Sequence, residues 1–173
     1  PADFQELKDM IHTAVYQIDG PVAVRYPRGG EPKDYLPSDK EDQVSENSSV
    51  TLVSYGNMFW ETRKAKNLLK EKGIEADLIR LKTIEPLDIS RITESVRRTG
   101  RLIIAEETCR SGCIGEAVIA QLAENASVPC SYRLINLGDG IVTHGSVSEL
   151  MDLYKINSRS IVTAAEELMQ YNG

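Results

Sequence analysis

An alternation of short apolar runs and amphipathic stretches fills the chain from residue 50 onward. Four runs have the length and β-branched content of buried strands, and they span residues 50–54, 76–81, 101–106 and 131–137. The spacing of apolar residues predicts helices over residues 58–72, 88–98, 115–125, 146–154 and 158–171. Repeated strand–helix units need crossover connections, which favour a mostly parallel sheet covered by helices on both faces. The sequence therefore predicts a three-layer αβα fold of the α/β class.

Two polar or flexible residues are expected at the ends of these helices. Gly73 is expected to end the helix over residues 58–72, because glycine readily adopts the left-handed conformation that follows a helix. Asp88 is expected to be the N-cap of the helix over residues 88–98, because its short side chain can accept a hydrogen bond from a free amide.

The first 29 residues predict one helix and one strand. Apolar residues at helical spacing predict a helix that runs to Asp19, with Asp3 as its N-cap and Glu6 three residues later. Residues 22–24 have the apolar pattern of a strand that must stop near Arg25, since Pro27 lacks the amide donor. One helix and one strand cannot form a domain, so we expect this piece to pack on the rest of the chain or on a partner, or to be partly disordered.

A polar segment rich in proline and glycine separates this first piece from the alternating region. It covers residues 30–49 and is almost free of apolar side chains, which is typical of a linker or surface loop. The expected division is therefore residues 1–29, a linker over residues 30–49, and a compact domain over residues 50–173.

Two arginines follow the predicted strand at residues 22–24. Arg25 and Arg28 flank Pro27, at the point where the strand must end. Ligands of open α/β sheets bind outside the carboxyl ends of strands, and the planar guanidinium group suits phosphate or carboxylate. The pattern indicates a candidate anion-binding arginine, and a solvated loop arginine is the alternative.

Composition excludes several classes of function. The formal charge of −6 and a pI near 5.0, without a Lys/Arg cluster, argue against a nucleic-acid surface. No apolar stretch approaches the length of a membrane span, and no signal-peptide pattern is seen. Three cysteines, Cys109, Cys113 and Cys130, cannot all pair within one chain, which suits a reducing compartment and predicts a cytoplasmic protein. Cys109 and Cys113 have a spacing that could hold a metal, but no further ligands complete a zinc site.

The remaining polar features point to structural roles. The turn over residues 112–115 opens a helix and could present amides to an anion, although close packing or capping is favoured because the glycine fingerprint of a phosphate loop is incomplete. Glu106 and Glu107 are adjacent, so they point to opposite faces, and one is expected to be buried or paired while the other is exposed. His144 lies in a turn without a nucleophile or carboxylate beside it, and no catalytic residue is assigned.

Several segments together resemble a known enzyme family. They are GPVAVRYPRG at residues 20–29, LIRLKTIEPLD at 78–88, IIAEE at 103–107 and LGDGIVTHGS at 137–146. In these segments the chain resembles the C-terminal portion of the 1-deoxy-D-xylulose-5-phosphate synthases, which are thiamine-diphosphate enzymes of the transketolase superfamily. The resemblance covers nearly the whole chain and implies a transketolase C-terminal domain, preceded by a helix–strand remnant of the pyrimidine-binding domain and a linker.

The resemblance also implies a function. The whole enzyme joins pyruvate, after decarboxylation, to glyceraldehyde 3-phosphate, in the supply of isoprenoid and thiamine precursors. Thiamine diphosphate and Mg²⁺ are held by domains that the chain lacks, so it is expected to bind no cofactor or metal, to be inactive alone and to support a homodimer with those domains. Arg28 matches the position that reaches the acceptor phosphate, and Arg25 receives no role. Because the sequence begins with Pro1 rather than methionine, we also expect an excised or processed piece.

Two other interpretations stay open. The chain could be the C-terminal section of a split transketolase or of a 2-oxo-acid dehydrogenase beta subunit. It could also be a non-catalytic assembly domain that binds only protein partners.

Overall fold

The computed structural model describes residues 1–30, 42–124 and 131–170. Its sheet has four parallel strands in the order β2-β1-β3-β4. They are β1 (Val50–Ser54), β2 (Ala76–Arg80), β3 (Arg101–Ala105) and β4 (Ser131–Ile135). Val53 of β1 lies in register between Ile79 and Ile104, so the centre of the sheet is apolar on both sides of the central strand.

Six helices accompany the sheet within the described ranges. They are α1 (Phe4–Tyr16), α2 (Met58–Glu71), α3 (Ser90–Thr99), α4 (Ile114–Glu124), α5 (Val147–Leu153) and α6 (Ser158–Gln170). One apolar core joins α2 and α6 to one face of the sheet, and a second joins α3 and α4 to the other. Both faces of β1, β2 and β3 are thereby largely removed from water, as a parallel sheet requires, while β4 at the edge of the sheet is partly exposed. The three-layer α/β prediction is confirmed.

Most predicted ends in this region lie within two residues of the observed ones. Gly73, with φ of +76°, follows the end of α2 as expected. The N-cap prediction for Asp88 is wrong by one position, because α3 begins at Ser90 after Ile89. The Asp88 carboxylate still accepts a hydrogen bond from the Ser90 amide at 2.9 Å. It therefore satisfies one amide of the first turn from the position before the N-cap.

The first piece differs more from its prediction. Asp3 is the N-cap of α1 and accepts a hydrogen bond from the Glu6 amide at 2.7 Å, as expected, but α1 ends at Tyr16 rather than at Asp19. The strand predicted at residues 22–24 is wrong, since residues 21–27 carry no strand assignment. A strand exists through pairing with a neighbour, and no described residue pairs with this segment.

The described end of the predicted linker packs on the sheet. Gln43 and Leu78 exchange two backbone hydrogen bonds of 2.7 and 2.9 Å in an antiparallel bridge, and the Ser49 amide donates to the Glu75 carbonyl. These contacts cover the outer edge of β2, which would otherwise present unpaired donors and acceptors. The predicted linker residues 31–41, like Cys130, lie outside the described ranges.

None of the helices in the described part of the chain is long and apolar enough to cross a membrane.

Candidate functional site

The carboxyl edge of the sheet is the candidate site. From β1 the chain moves to β2 on one side and then crosses to β3 on the other, so the direction of winding changes between β1 and β3. Ligands of open α/β sheets bind at such a switch point. Tyr55 follows β1 and Glu106 follows β3, and the structure brings these two side chains together there.

Glu106 is fully buried and is surrounded by three hydrogen-bond donors. Its carboxylate accepts from the Tyr55 hydroxyl, the Ile114 amide and the Gly115 amide, each at 3.0 Å. The two amides belong to the first turn of α4, where free N–H groups and the helix dipole favour negative charge. Glu107 is exposed. The expectation of one buried and one exposed glutamate is therefore confirmed.

The turn over residues 112–115 serves this carboxylate. Because Glu106 takes the Ile114 and Gly115 amides, those donors are engaged within the chain rather than offered to an external anion. A Cβ atom added to Gly115 would lie 2.6 Å from Glu106 Oε1 and 2.7 Å from Leu134 Cδ2. The favoured interpretation of close packing and capping is confirmed. The negative group at the start of α4 is the Glu106 carboxylate of the chain itself.

Burial and the neighbouring charge change the acidity of two groups beside Glu106. Burial, followed by the Glu106 carboxylate, raises the pKa of the Tyr55 hydroxyl well above its ordinary value, while the charge of Arg25 acts in the opposite direction. Burial also raises the pKa of the Cys113 thiol. Tyr55 is therefore a stable hydrogen-bond donor to Glu106, and Cys113 is held as the thiol rather than as the reactive thiolate.

The start of the chain docks on the same edge through Arg80, the last residue of β2. The Arg80 guanidinium donates to both carboxylate oxygens of Glu6, at 2.6 and 2.7 Å, and lies 5.3 Å from the centre of the Phe59 ring. The Trp60 indole donates to the Ala2 carbonyl at 3.1 Å. The sequence left open whether the first piece packs on the rest of the chain, packs on a partner or is partly disordered, and the structure shows its first turn docked on the sheet domain.

The two arginines singled out in the sequence are both exposed. The charge of Arg25 acts on Tyr55 at the carboxyl edge and opposes the rise in the pKa of that hydroxyl. Arg28 lies three residues farther along, and its contact with substrate stays a prediction. His144 is exposed in the turn before α5, where Gly145 packs beside Leu150.

A buried polar network at the start of the sheet was also missed. Asp77 of β2 accepts hydrogen bonds from the Ser45 amide at 2.8 Å and the Ser95 hydroxyl at 2.6 Å, and it pairs with Arg98. Burial alone would raise the pKa of Asp77, but these donors hold that pKa below its ordinary value. The sequence contained a signal for this network, because Asp77 and Arg80 are charged residues within an otherwise apolar strand. Buried charges are almost always paired.

The described residues do not fit thiamine diphosphate and Mg²⁺. A diphosphate would need free amides at a helix start, and Mg²⁺ would need several oxygen ligands. Glu106 already takes the two amides at the start of α4. Within the described ranges, no three His, Cys, Asp or Glu side chains gather as a metal site would require.

These features define a class of protein. The chain belongs to the transketolase C-terminal domain family, which it matches over residues 39–161. The curated relatives that it matches along nearly its whole length include two 1-deoxy-D-xylulose-5-phosphate synthases. The protein of Heliobacterium modesticaldum is 35% identical over 97% of the chain, and that of Desulforudis audaxviator is 36% identical over 96%. In both comparisons the chain spans 27% of the relative's length.

Solved structures agree with this assignment. A structure described as a split gene transketolase, inactive beta4 tetramer, aligns with a TM-score of 0.83 and 27% identity over 100% of this chain and 57% of its own. The transketolase of Campylobacter jejuni aligns with a TM-score of 0.51 and 13% identity over 75% of this chain and 19% of its own, which supports the fold alone.

Proposed function

We propose that the chain is the C-terminal portion of a thiamine-diphosphate-dependent 1-deoxy-D-xylulose-5-phosphate synthase. The observation that carries this proposal is the pair of synthases that match 96–97% of the chain at 35–36% identity. The complete enzyme would condense pyruvate with glyceraldehyde 3-phosphate in the cytoplasm. It would release CO2 and form 1-deoxy-D-xylulose 5-phosphate, a precursor of isoprenoids and thiamine.

Within that enzyme the chain would have a supporting role. Residues 1–29 would be the tail of the pyrimidine-binding domain, residues 30–49 a linker, and residues 50–173 the C-terminal domain. Thiamine diphosphate and Mg²⁺ would be held by the other domains, because the described residues of this chain do not fit them. The chain alone is therefore proposed to be inactive.

Arg28 is the residue proposed to bind substrate. Its guanidinium would pair with the phosphate of the glyceraldehyde 3-phosphate acceptor, for which a fork of N–H donors is well suited. The exposure of Arg28 supports this role, as does the action of the Arg25 charge on Tyr55 at the carboxyl edge of the sheet.

The experiment is to read the coding sequence upstream of Pro1 and to assay both forms of the protein. The proposal expects a thiamine-diphosphate-binding region in the same polypeptide, and carboligation of pyruvate with glyceraldehyde 3-phosphate by that polypeptide. It expects none from the 173-residue chain. Carboligation by the chain alone, or a polypeptide that condenses other substrates, would refute it.

A split transketolase is the second candidate. The solved structure that aligns over the whole of this chain is described as the product of a split gene and as inactive, and 27% identity supports a relation. In that case the thiamine-diphosphate-binding part would be encoded by a separate gene. The same reading of the upstream sequence separates the two candidates.

The chain is also proposed to associate with a second copy of itself. Apolar side chains around α5 face solvent in a single chain, with Ile141 94%, Val147 69% and Leu153 63% exposed. Exposed apolar side chains that lie close together in the sequence support an interaction site in this part of the chain. Sedimentation velocity over a range of protein concentrations is the measurement. A dimer is expected, and a monomer at every concentration would refute self-association.

A further inference from the structure

Arg80 and Glu6 form an ion pair that has a fixed geometry and is almost completely buried. Only 2% of the Arg80 side chain and 12% of the Glu6 side chain are exposed. Both oxygens of Glu6 accept from the Arg80 fork, and one also accepts from the Ala2 amide at 2.6 Å. A bidentate pair of this kind fixes orientation as well as distance.

Helix α1 depends on this contact because the rest of the helix is at most partly buried. None of the residues from Phe4 to Tyr16 is buried. The contacts that the structure describes between this part of the chain and the sheet domain gather at the first turn, where Trp60 also bonds the Ala2 carbonyl. A helix of this length is marginally stable alone in water. Whether α1 stays helical in this chain therefore indicates whether its first turn is bound to the sheet domain.

The docked helix leads directly to the arginine segment. Arg80 ends β2, and Tyr55, on which the charge of Arg25 acts, follows β1, the neighbouring strand. The piece that carries Arg25 and Arg28 is thus held on the carboxyl edge of the sheet at its start, and the charge of Arg25 acts on a residue of the same edge. The edge that holds ligands in many α/β proteins holds a segment of this chain instead.

We propose that Arg80 is a positioning residue for acceptor binding: by pairing with Glu6 it fixes α1 on the carboxyl edge of the sheet and so sets the position of Arg28. The proposal rests on the function proposed above, in which Arg28 contacts the acceptor phosphate. Arg80 itself does not touch the substrate.

The first test measures hydrogen exchange of the α1 amides in this chain. Arg80→Lys keeps the positive charge but removes the planar fork. We expect exchange in α1 to accelerate by about tenfold or more, the range of a lost charge-assisted pair, while exchange in β1 stays unchanged. Arg97→Lys is the matched control, because Arg97 is an exposed arginine in the last turn of α3, which leads to the start of β3 at the opposite edge of the sheet. Equal exchange in Arg80→Lys and the unaltered chain would overturn the proposal.

Glu6→Gln tests the same contact from the other side. Glu6 lies on α1, so this change leaves the core of the sheet domain intact even if Arg80→Lys fails to fold. The amide cannot accept from both arms of the guanidinium, and we expect the same acceleration in α1. Unchanged exchange in Glu6→Gln would also overturn the proposal.

The second test uses steady-state kinetics of the complete enzyme. Arg80→Lys is expected to raise the KM for the acceptor about tenfold, with kcat and the KM for pyruvate unchanged. A general loss of structure would instead lower the active fraction and leave both KM values unaltered. Faster exchange in α1 with an unaltered acceptor KM would refute the positioning role. If Arg28→Ala leaves the acceptor KM unchanged, the proposed role of Arg28 fails, whereas the exchange result still decides whether Arg80 docks α1.

Discussion

Glu106 shows how one buried charge can organise the end of a strand and the start of a helix. The carboxylate has no exposure, yet three donors at 3.0 Å replace the water that it loses. This arrangement needs a residue without a side chain at Gly115, because the carboxylate and Leu134 occupy the space where a Cβ atom would lie. The acidic pair was visible in the sequence, but its partners are set by contacts between separate elements.

The first prediction concerns Gly115→Ala. The added methyl group would lie 2.6 Å from Glu106 Oε1, so we expect a loss of about 1–3 kcal/mol in the free energy of unfolding from overpacking. Urea denaturation measures this quantity. Gly140→Ala is the matched control, because no heavy atom lies within 4 Å of the added carbon there, and its effect should stay within about 0.5 kcal/mol. Equal stability of the two variants would contradict the packing around Glu106.

The second prediction concerns the ionisation of Tyr55. Burial and the Glu106 carboxylate raise the pKa of its hydroxyl, so its phenolate should form only at a pH well above about 10, the ordinary value for tyrosine. The measurement is the difference between the ultraviolet titrations of the unaltered chain and of Tyr55→Phe, with circular dichroism to follow unfolding. A difference curve centred near the ordinary value would show that Tyr55 does not donate to Glu106 in solution.

At the scale of elements, strand β2 is protected along its outer edge by the segment before β1. Gln43 pairs with Leu78, and the Asp42 carboxylate accepts from the Arg80 amide at 2.8 Å. Asp77 holds the same segment through the Ser45 amide and joins it to α3 through Ser95. Residues with the composition of a linker therefore complete the sheet, since polar backbone groups can pair with an edge without apolar side chains.

The third prediction concerns Asp77→Asn. Asp77 is fully buried and its pKa is lowered in the folded chain, so its ionised form stabilises the fold above the ordinary carboxyl pKa, and this contribution is lost as the pH falls through the lowered value. We expect the variant to lose about 1.5–3 kcal/mol at neutral pH. The difference from the unaltered chain should shrink as the pH falls below the ordinary value for aspartate, about 3.9.

Urea denaturation of the variant and of the unaltered chain, at neutral pH and at acidic pH, tests this expectation. Asp9→Asn serves as the control, because Asp9 is an exposed residue of α1 whose carboxylate accepts from Gln5. A pH-independent difference for Asp77→Asn would show that the charge of Asp77 does not contribute to stability.

At the scale of the whole molecule, the sequence predicts the alternating region well and the first piece poorly. The strands of the sheet follow from local signals, namely short apolar runs bounded by glycine, proline and polar residues. The strand at residues 22–24 had the same signals, but it has no described neighbour to pair with. Sequence periodicity describes one segment at a time, and it does not report whether a partner segment is present.

The candidate site was predictable only in part. The acidic pair at the end of β3 and the turn before α4 were visible as motifs. Glu6 and Arg80 are 74 residues apart, and no local pattern connects them. Their contact depends on how α1 returns to the carboxyl edge, which is a property of the folded chain.

The acceptor KM of the complete enzyme with Arg28→Ala tests the central claim most directly. Arg97→Ala is the control, because Arg97 is an exposed arginine in the last turn of α3. If the chain is the acceptor-binding portion of a 1-deoxy-D-xylulose-5-phosphate synthase, Arg28→Ala should raise the KM for glyceraldehyde 3-phosphate by an amount equivalent to about 1.5–3 kcal/mol, roughly 10- to 150-fold, with the KM for pyruvate unchanged. An acceptor KM equal to that of Arg97→Ala would contradict the account.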